Sequence, residues 1–319
     1  MSATDSLALD EGFFLEVGGL EQWVTVRGRD AGNPALMILP GAGAGLSAVA
    51  PFFAAWEADF TLVHWDQPGA GYTGATNPGD RQPLTYARLA RDGLAVAQAV
   101  KARCGLKRLA LLATSGGTIV ALKMARTRPE LFSAYIGNGQ IVTRAQQETL
   151  SYRMVLARAE QAGDGTAVDE LTALGPPPYA DPMGDLIKSG YANAATAAEG
   201  AAWAELMDLA PPSPGARHAP PNAPALDTAT MAFSAYRALR GELAAFDARK
   251  LGLTFGLPMY FIQGEADAHT VSSAVVAYAA ELAAPDVDLA LIPGEGHLSF
   301  FLRAAMLERL LALRDRLMG

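Results

Sequence analysis

One cysteine, four histidines and no apolar run of membrane-spanning length set the first limits on this 319-residue chain. A lone Cys104 excludes an intramolecular disulfide and any cluster of thiolates around a metal, so no metal site is expected. Basic residues are the minority, 25 Lys and Arg against 33 Asp and Glu, giving a formal net charge of -8. They form no cluster, which argues against a nucleic-acid partner. The first eleven residues carry acids and lack the basic segment and apolar run of a signal peptide. Apolar stretches elsewhere break well short of a bilayer's thickness. The expectation is a cytoplasmic protein with no membrane partner. What the chain has in quantity is apolar residues, 50% of the total, enough to bury a large core.

Strand-like and helix-like patterns alternate along the first 140 residues. Two β-patterned runs at 13–17 and 22–27, separated by Gly18-Gly19, read as a hairpin. Strands are expected at 35–39, 60–65, 109–113 and 133–137, with helices over 46–57, 85–103 and the stretch after 115. From 141 to about 246 the chain is Ala-rich and helical in pattern, broken by Gly175-Pro176-Pro177-Pro178 and by a Pro-rich stretch at 211–224. Strand signals return at 257–263 and 287–292, with helices at 272–282 and 298–317. Strands alternating with helices imply an α/β fold, a doubly wound and mostly parallel sheet. The helical stretch is then a cap inserted into one sheet domain, giving a core from 1–140 and 247–319 with a cap from 141–246.

The run Leu109-Ala110-Leu111-Leu112-Ala113-Thr114-Ser115-Gly116-Gly117 is the most informative in the chain. An apolar segment of strand length enters a serine flanked at two residues on each side by Ala or Gly, and a helical pattern follows at once. Small neighbours suit a sharp strand-to-helix turn that lifts a serine hydroxyl above a sheet. A serine is a poor nucleophile at neutral pH unless an oriented base takes its proton. Of the four histidines, His64 lies inside a strand pattern and His218 in the Pro-rich stretch, while His269 competes with the acid position. His297, in the loop between the last strand and the C-terminal helix, is the expected base. The orienting acid is expected at Asp267, with Glu265 the alternative, in the turn after Tyr260-Phe261-Ile262-Gln263-Gly264. Two backbone N–H groups should hold the oxyanion. One belongs to Gly116; the other comes from the turn Pro40-Gly41-Ala42-Gly43-Ala44-Gly45, from Ala42 or else Gly41. That turn lacks the lysine of a phosphate-binding loop and is not part of a dinucleotide fingerprint, so no nucleotide and no other cofactor is expected.

With these residues assembled, the chain resembles the proline iminopeptidase branch of the α/β-hydrolases over nearly its whole length. His64-Trp65-Asp66-Gln67-Pro68-Gly69-Ala70-Gly71 is similar to that family's Trp-Asp-Gln-Arg-Gly-x-Gly segment, and Pro40-Gly41-Ala42-Gly43 stands where it has His-Gly-Gly-Pro. Four positions depart from the pattern: Pro40 for His, Pro68 for Arg, Ala113 for the first elbow glycine, and Gly116 for a Trp. The resemblance implies a serine hydrolase with a helical cap, acting on a short peptide with N-terminal proline. The same machinery serves small esters or lactones, and a ligand-binding protein of the same fold is the non-enzyme alternative. Family members grip the substrate's amino group with cap carboxylates, and Glu148 is the first such candidate here. Trp203, Tyr179 and Tyr191 are candidates to line an apolar pocket, and packing of the cap on the core accounts for them equally well.

Overall fold

The computed structural model describes residues 8–41, 43–193, 196–209 and 219–318. Eight strands form one sheet in the order β1-β2-β4-β3-β5-β6-β7-β8: β1 (Leu9–Val17), β2 (Leu20–Gly28), β3 (Ala35–Leu39), β4 (Thr61–Trp65), β5 (Leu109–Thr114), β6 (Phe132–Asn138), β7 (Met259–Gly264) and β8 (Val287–Ile292). The β1–β2 and β2–β4 pairs are antiparallel, and every other pair is parallel. The parallel strands read as near-continuous apolar runs because both of their faces are covered; all six residues of β5 are buried.

On one face lie α2 (Tyr86–Cys104) and α3 (Gly117–Thr127), whose Leu89, Val96, Ile119, Leu122 and Met124 are fully buried against the sheet. The other face is covered by residues Ser47–Ala58 and by α10 (Arg303–Leu317), with Phe52, Phe53, Trp56, Phe300 and Leu310 interlocked. Residues Ser47–Ala58 form a 3-10 helix, where the sequence suggested an ordinary helix over 46–57. Its Pro51 lacks the N–H that a continuous α ladder would require. A short helix, α1 (Gly71–Thr76), follows the Trp-Asp-Gln segment and has no periodicity long enough to be anticipated.

Between β6 and β7 the chain forms α4 (Arg144–Ala162), α5 (Gly165–Leu174), α6 (Pro182–Ala192), α7 (Ala197–Asp208) and α8 (Thr228–Ala244), and α9 (Ser272–Glu281) follows β7. This helical stretch has a small core of its own from Val155, Ala159, Ala167 and Leu171. It bears directly on the turn after β3: a Cβ added at Gly43 would stand 2.2 Å from the Ala235 Cβ of α8. Among the described residues no helix is long and apolar enough to cross a membrane.

The C-terminal ends of β3, β5, β7 and β8 all face this helical stretch, which is where open α/β sheets hold their sites. Close approach there is severe at Gly117, where a Cβ would lie 2.2 Å from the carbonyl oxygens of both Leu39 and Pro40. Gly117→Ala is therefore expected to destabilise the fold by about 2 kcal/mol or more, since backbone rather than a flexible side chain must yield. Gly241→Ala, inside α8 with open space around it, should instead stabilise by about 0.5–1 kcal/mol. Urea denaturation of the two variants beside the parent checks the contrast.

Candidate active site

Ser115 stands at the end of β5 with φ +51°, one of two non-glycine residues in the left-handed region among the described residues. Its N–H donates to the Asn138 carbonyl at 3.0 Å. The Asn138 side chain in turn donates to the Ile262 carbonyl of β7 at 2.7 Å. Gly139, at φ +55°, could not be another residue, because a Cβ would lie 2.9 Å from the His297 ring. β5, β6 and β7 thus fix the turn from three sides.

Ser115 Oγ lies 3.1 Å from His297 Nε2, and His297 Nδ1 lies 3.0 Å from Asp267 Oδ2. Asp267 is buried and also accepts from Gln263 Nε2 at 2.7 Å, the Thr270 hydroxyl at 2.6 Å, and the backbone N–H groups of His269 and Thr270 at 2.7 and 2.8 Å. Burial alone would raise its pKa. The opposing charge of His297 and these hydrogen bonds prevail and lower it to about 2. An ionised carboxylate only accepts, so His297 carries its proton on Nδ1 and leaves Nε2 free to take one from Ser115. Glu265, the alternative acid, is exposed and accepts from the Gly294 N–H.

The His297 loop is pinned from two directions. A Cβ on Gly264 would sit 2.1 Å from the Gly296 carbonyl oxygen, so β7 and the loop touch through backbone. From the helical side, buried Glu199 in the capping box of α7 accepts the Gly296 N–H at 2.8 Å. Its carboxyl pKa is raised, burial being the largest cause. Nothing local in the sequence marks Glu199, whose partner lies 97 residues away.

The turn after β3 owes its shape to the Trp-Asp-Gln segment. Asp66 accepts from Ser47 through its N–H at 3.2 Å and its hydroxyl at 2.6 Å, and from the Tyr72 N–H at 2.8 Å. Gln67 accepts the Gly43 N–H at 2.8 Å. Gly41 and Gly116 both line the cavity beside Ser115; Ala42, the first candidate for the second oxyanion donor, lies outside the described residues.

A family model described as the alpha/beta hydrolase family matches residues 36–310. The chain belongs to the alpha/beta hydrolase family. It is 29% identical over 176 residues to a probable aminopeptidase, YbaC, of Bacillus subtilis, and the match covers 54% of this chain and 55% of that one, so the chain spans about half the length of this curated relative. Among solved structures it is similar to a proline iminopeptidase-related protein, TTHA1809, of Thermus thermophilus (TM-score 0.65, 22% identity, 97% of this chain and 99% of the other). It is also similar to an esterase, RhEst1, of Rhodococcus sp. ECU1013 (TM-score 0.62, 17% identity, 97% and 99%).

Within this alpha/beta hydrolase the cavity above Ser115 has a volume of about 450 Å³ and is walled by α4, α6 and α8. Glu148 lines it. Its carboxylate is already within ion-pair distance of two cations, Arg144 one helical turn earlier and Lys188 Nζ at 2.7 Å. The cavity's other acid, Asp185, is bound to Arg240 Nε at 2.6 Å and to the Tyr236 hydroxyl at 2.9 Å. Tyr179 lines the cavity, but Trp203 and Tyr191 do not. Trp203 is 41% exposed and packs edge-on against Phe301, and Tyr191 donates to Glu170.

His269, set aside in the sequence, stands in the cavity wall with its ring centroid 4.5 Å from that of His297. Burial first, then the charges of His297, Arg144 and Lys188, push its pKa well below the usual value, so it remains a neutral ring. His64 is buried in β4 against Phe53, and His218 lies outside the described residues. Among the described residues no group of three or more His, Cys, Asp and Glu side chains is arranged to hold a metal ion.

Two buried acids give stability of opposite pH dependence. Asp267, lowered to about 2 from 3.8, contributes stability that is present above pH 4 and lost as pH falls toward 2, about 2 kcal/mol. Asp66 is raised to about 6, burial outweighing its hydrogen bonds; the unfolded chain loses its proton first, so stability falls as pH rises from 4 to 6, by about 3 kcal/mol. Denaturant melts from pH 2 to 7 should show the lower limb flattened in Asp267→Asn and the upper limb flattened in Asp66→Asn.

Proposed function

We propose that this protein is a serine hydrolase that cleaves small carboxylic esters or lactones through an acyl-enzyme. The observation that carries the reaction type is the unbroken chain from Ser115 Oγ through His297 to Asp267, at 3.1 and 3.0 Å. Ser115 Oγ attacks the carbonyl carbon while His297 Nε2 takes its proton. The resulting oxyanion is held by the backbone N–H groups of Gly116 and Gly41, both of which line the cavity, each such donor contributing about 3 kcal/mol. Collapse breaks the bond to the leaving alkoxide, which takes the proton from His297. A water, deprotonated by the same nitrogen, then attacks the acyl-enzyme, and Ser115 leaves with its proton restored. Asp267, held ionised, stabilises the imidazolium in both halves.

The ester reading over the peptide reading rests on charge. An N-terminal amino group arrives as an ammonium and wants an unpaired carboxylate, whereas Glu148 and Asp185 each already face a cation. The second reading, an aminopeptidase releasing N-terminal proline, is supported by the similarity to a probable aminopeptidase and by Glu148 lining the cavity.

A fluorophosphonate probe should label the parent protein and leave Ser115→Ala unlabelled, and His297→Ala should lower kcat on aryl esters by about 10³-fold or more. Labelling that survives in Ser115→Ala overturns the serine mechanism. Turnover of a prolyl anilide faster than of simple aryl esters overturns the ester reading in favour of the peptidase.

A further inference from the structure

Arg144 opens α4 and lines the cavity that holds Ser115. It is only 8% exposed. One guanidinium nitrogen, Nη2, meets Glu148, while Nη1 is buried with no hydrogen-bond partner. A buried guanidinium N–H without an acceptor is destabilising, because its hydration is lost and not replaced. A side chain that forms the wall of a substrate cavity can find that acceptor in the substrate.

The charges around it have a sign. Lys188, fully buried one layer behind, shares the same Glu148 carboxylate and donates to the Ser151 hydroxyl at 3.1 Å. Burial and the Arg144 charge depress the Lys188 pKa, while Glu148 opposes them. Two cations therefore converge on one carboxylate, and neither contact to Glu148 is a well-aligned hydrogen bond. Asp185 and Arg240, which also line the cavity, are paired with each other. His269 is neutral and adds nothing. The Arg144 guanidinium therefore stands in the cavity wall with one of its nitrogens lacking a hydrogen-bond partner.

We propose that Arg144 recognises a second carboxylate on the substrate, so that this enzyme hydrolyses esters carrying an anionic group in addition to the ester it cleaves. The inference rests on the serine-hydrolase reading above. It names the class of ester and the residue that selects it. A guanidinium offers a planar pair of N–H donors suited to a carboxylate, and a substrate carboxylate in the cavity supplies the acceptor that Arg144 lacks.

Substrates of matched carbon chain test it: monomethyl adipate against methyl hexanoate on the acyl side, and δ-acetoxyvalerate against pentyl acetate on the alcohol side. The parent should favour the carboxylate member of at least one pair by about 10- to 100-fold in kcat/KM. In Arg144→Met, which retains the apolar stem, that ratio should fall about tenfold or more, with part of it regained in Arg144→Lys. Glu148→Gln, which releases both cations, should raise the ratio, and serves if Arg144→Met does not fold. Absence of preference in both pairs, or a ratio unchanged in Arg144→Met, overturns the proposal. Fluorophosphonate labelling of each sample separates the two readings: labelled protein with no preference removes only the carboxylate inference. If nothing is turned over, calorimetric binding of the same pairs to Ser115→Ala decides, with tighter binding of a carboxylate member expected and equal binding contradicting.

Discussion

The backbone at Ser115 is held at φ +51°, in a region that costs an L-residue on the order of 1 kcal/mol or more, and the site depends on that turn being kept. The restraint is spread over several strands. Asn138 receives the Ser115 N–H and ties β6 to β7, while the elbow helix begins so close to the turn after β3 that only glycine fits at 117. The serine hydroxyl and the turn that faces it are positioned by one set of contacts. A change that loosens either is felt by both.

The second constraint is the anchoring of His297. Its ring is oriented by Asp267, whose two oxygens are filled by donors from Gln263, His269 and Thr270, so the carboxylate has little freedom to rotate away. The loop before His297 is gripped by β7 through Gly264 and by α7 through Glu199. The helical stretch between β6 and β7 therefore does more than cover the cavity. It holds one backbone N–H adjacent to the histidine and presses α8 onto Gly43 beside the Ser115 cavity. Geometry at the serine and packing of these helices are coupled.

Much of this was legible in the residues because local signals and chain order agree. An apolar β5, a serine among small neighbours and a helix behind it point to one turn, and the acid and histidine follow in loops after later strands. Distance from the turn glycine favours Asp267 over Glu265, and Glu265 is exposed. Other features had no local signature. Glu148 was readable as an acid on a helix near the site, but its neutralisation depends on Lys188, forty residues on and brought close only by the packing of α6 on α4. His269 lies two residues after the acid in sequence, and that closeness is what sets its ring against His297. Trp203 reads by type as either a pocket aromatic or a packing residue between the helical stretch and the core, and its edge contact with Phe301 is of the second kind. Asp66 holds the first residue of the 3-10 helix Ser47–Ala58, a contact that spacing does not reveal.

In the acyl-enzyme mechanism an acyl group passes first to Ser115 and only then to water. Rapid acid quench during turnover of an activated ester, followed by peptide mapping with mass spectrometry, catches that intermediate. A transient mass increment equal to the acyl group is expected on the peptide containing Ser115, decaying as product accumulates. An adduct on another residue, or turnover that persists in Ser115→Ala with no adduct at all, would refute it.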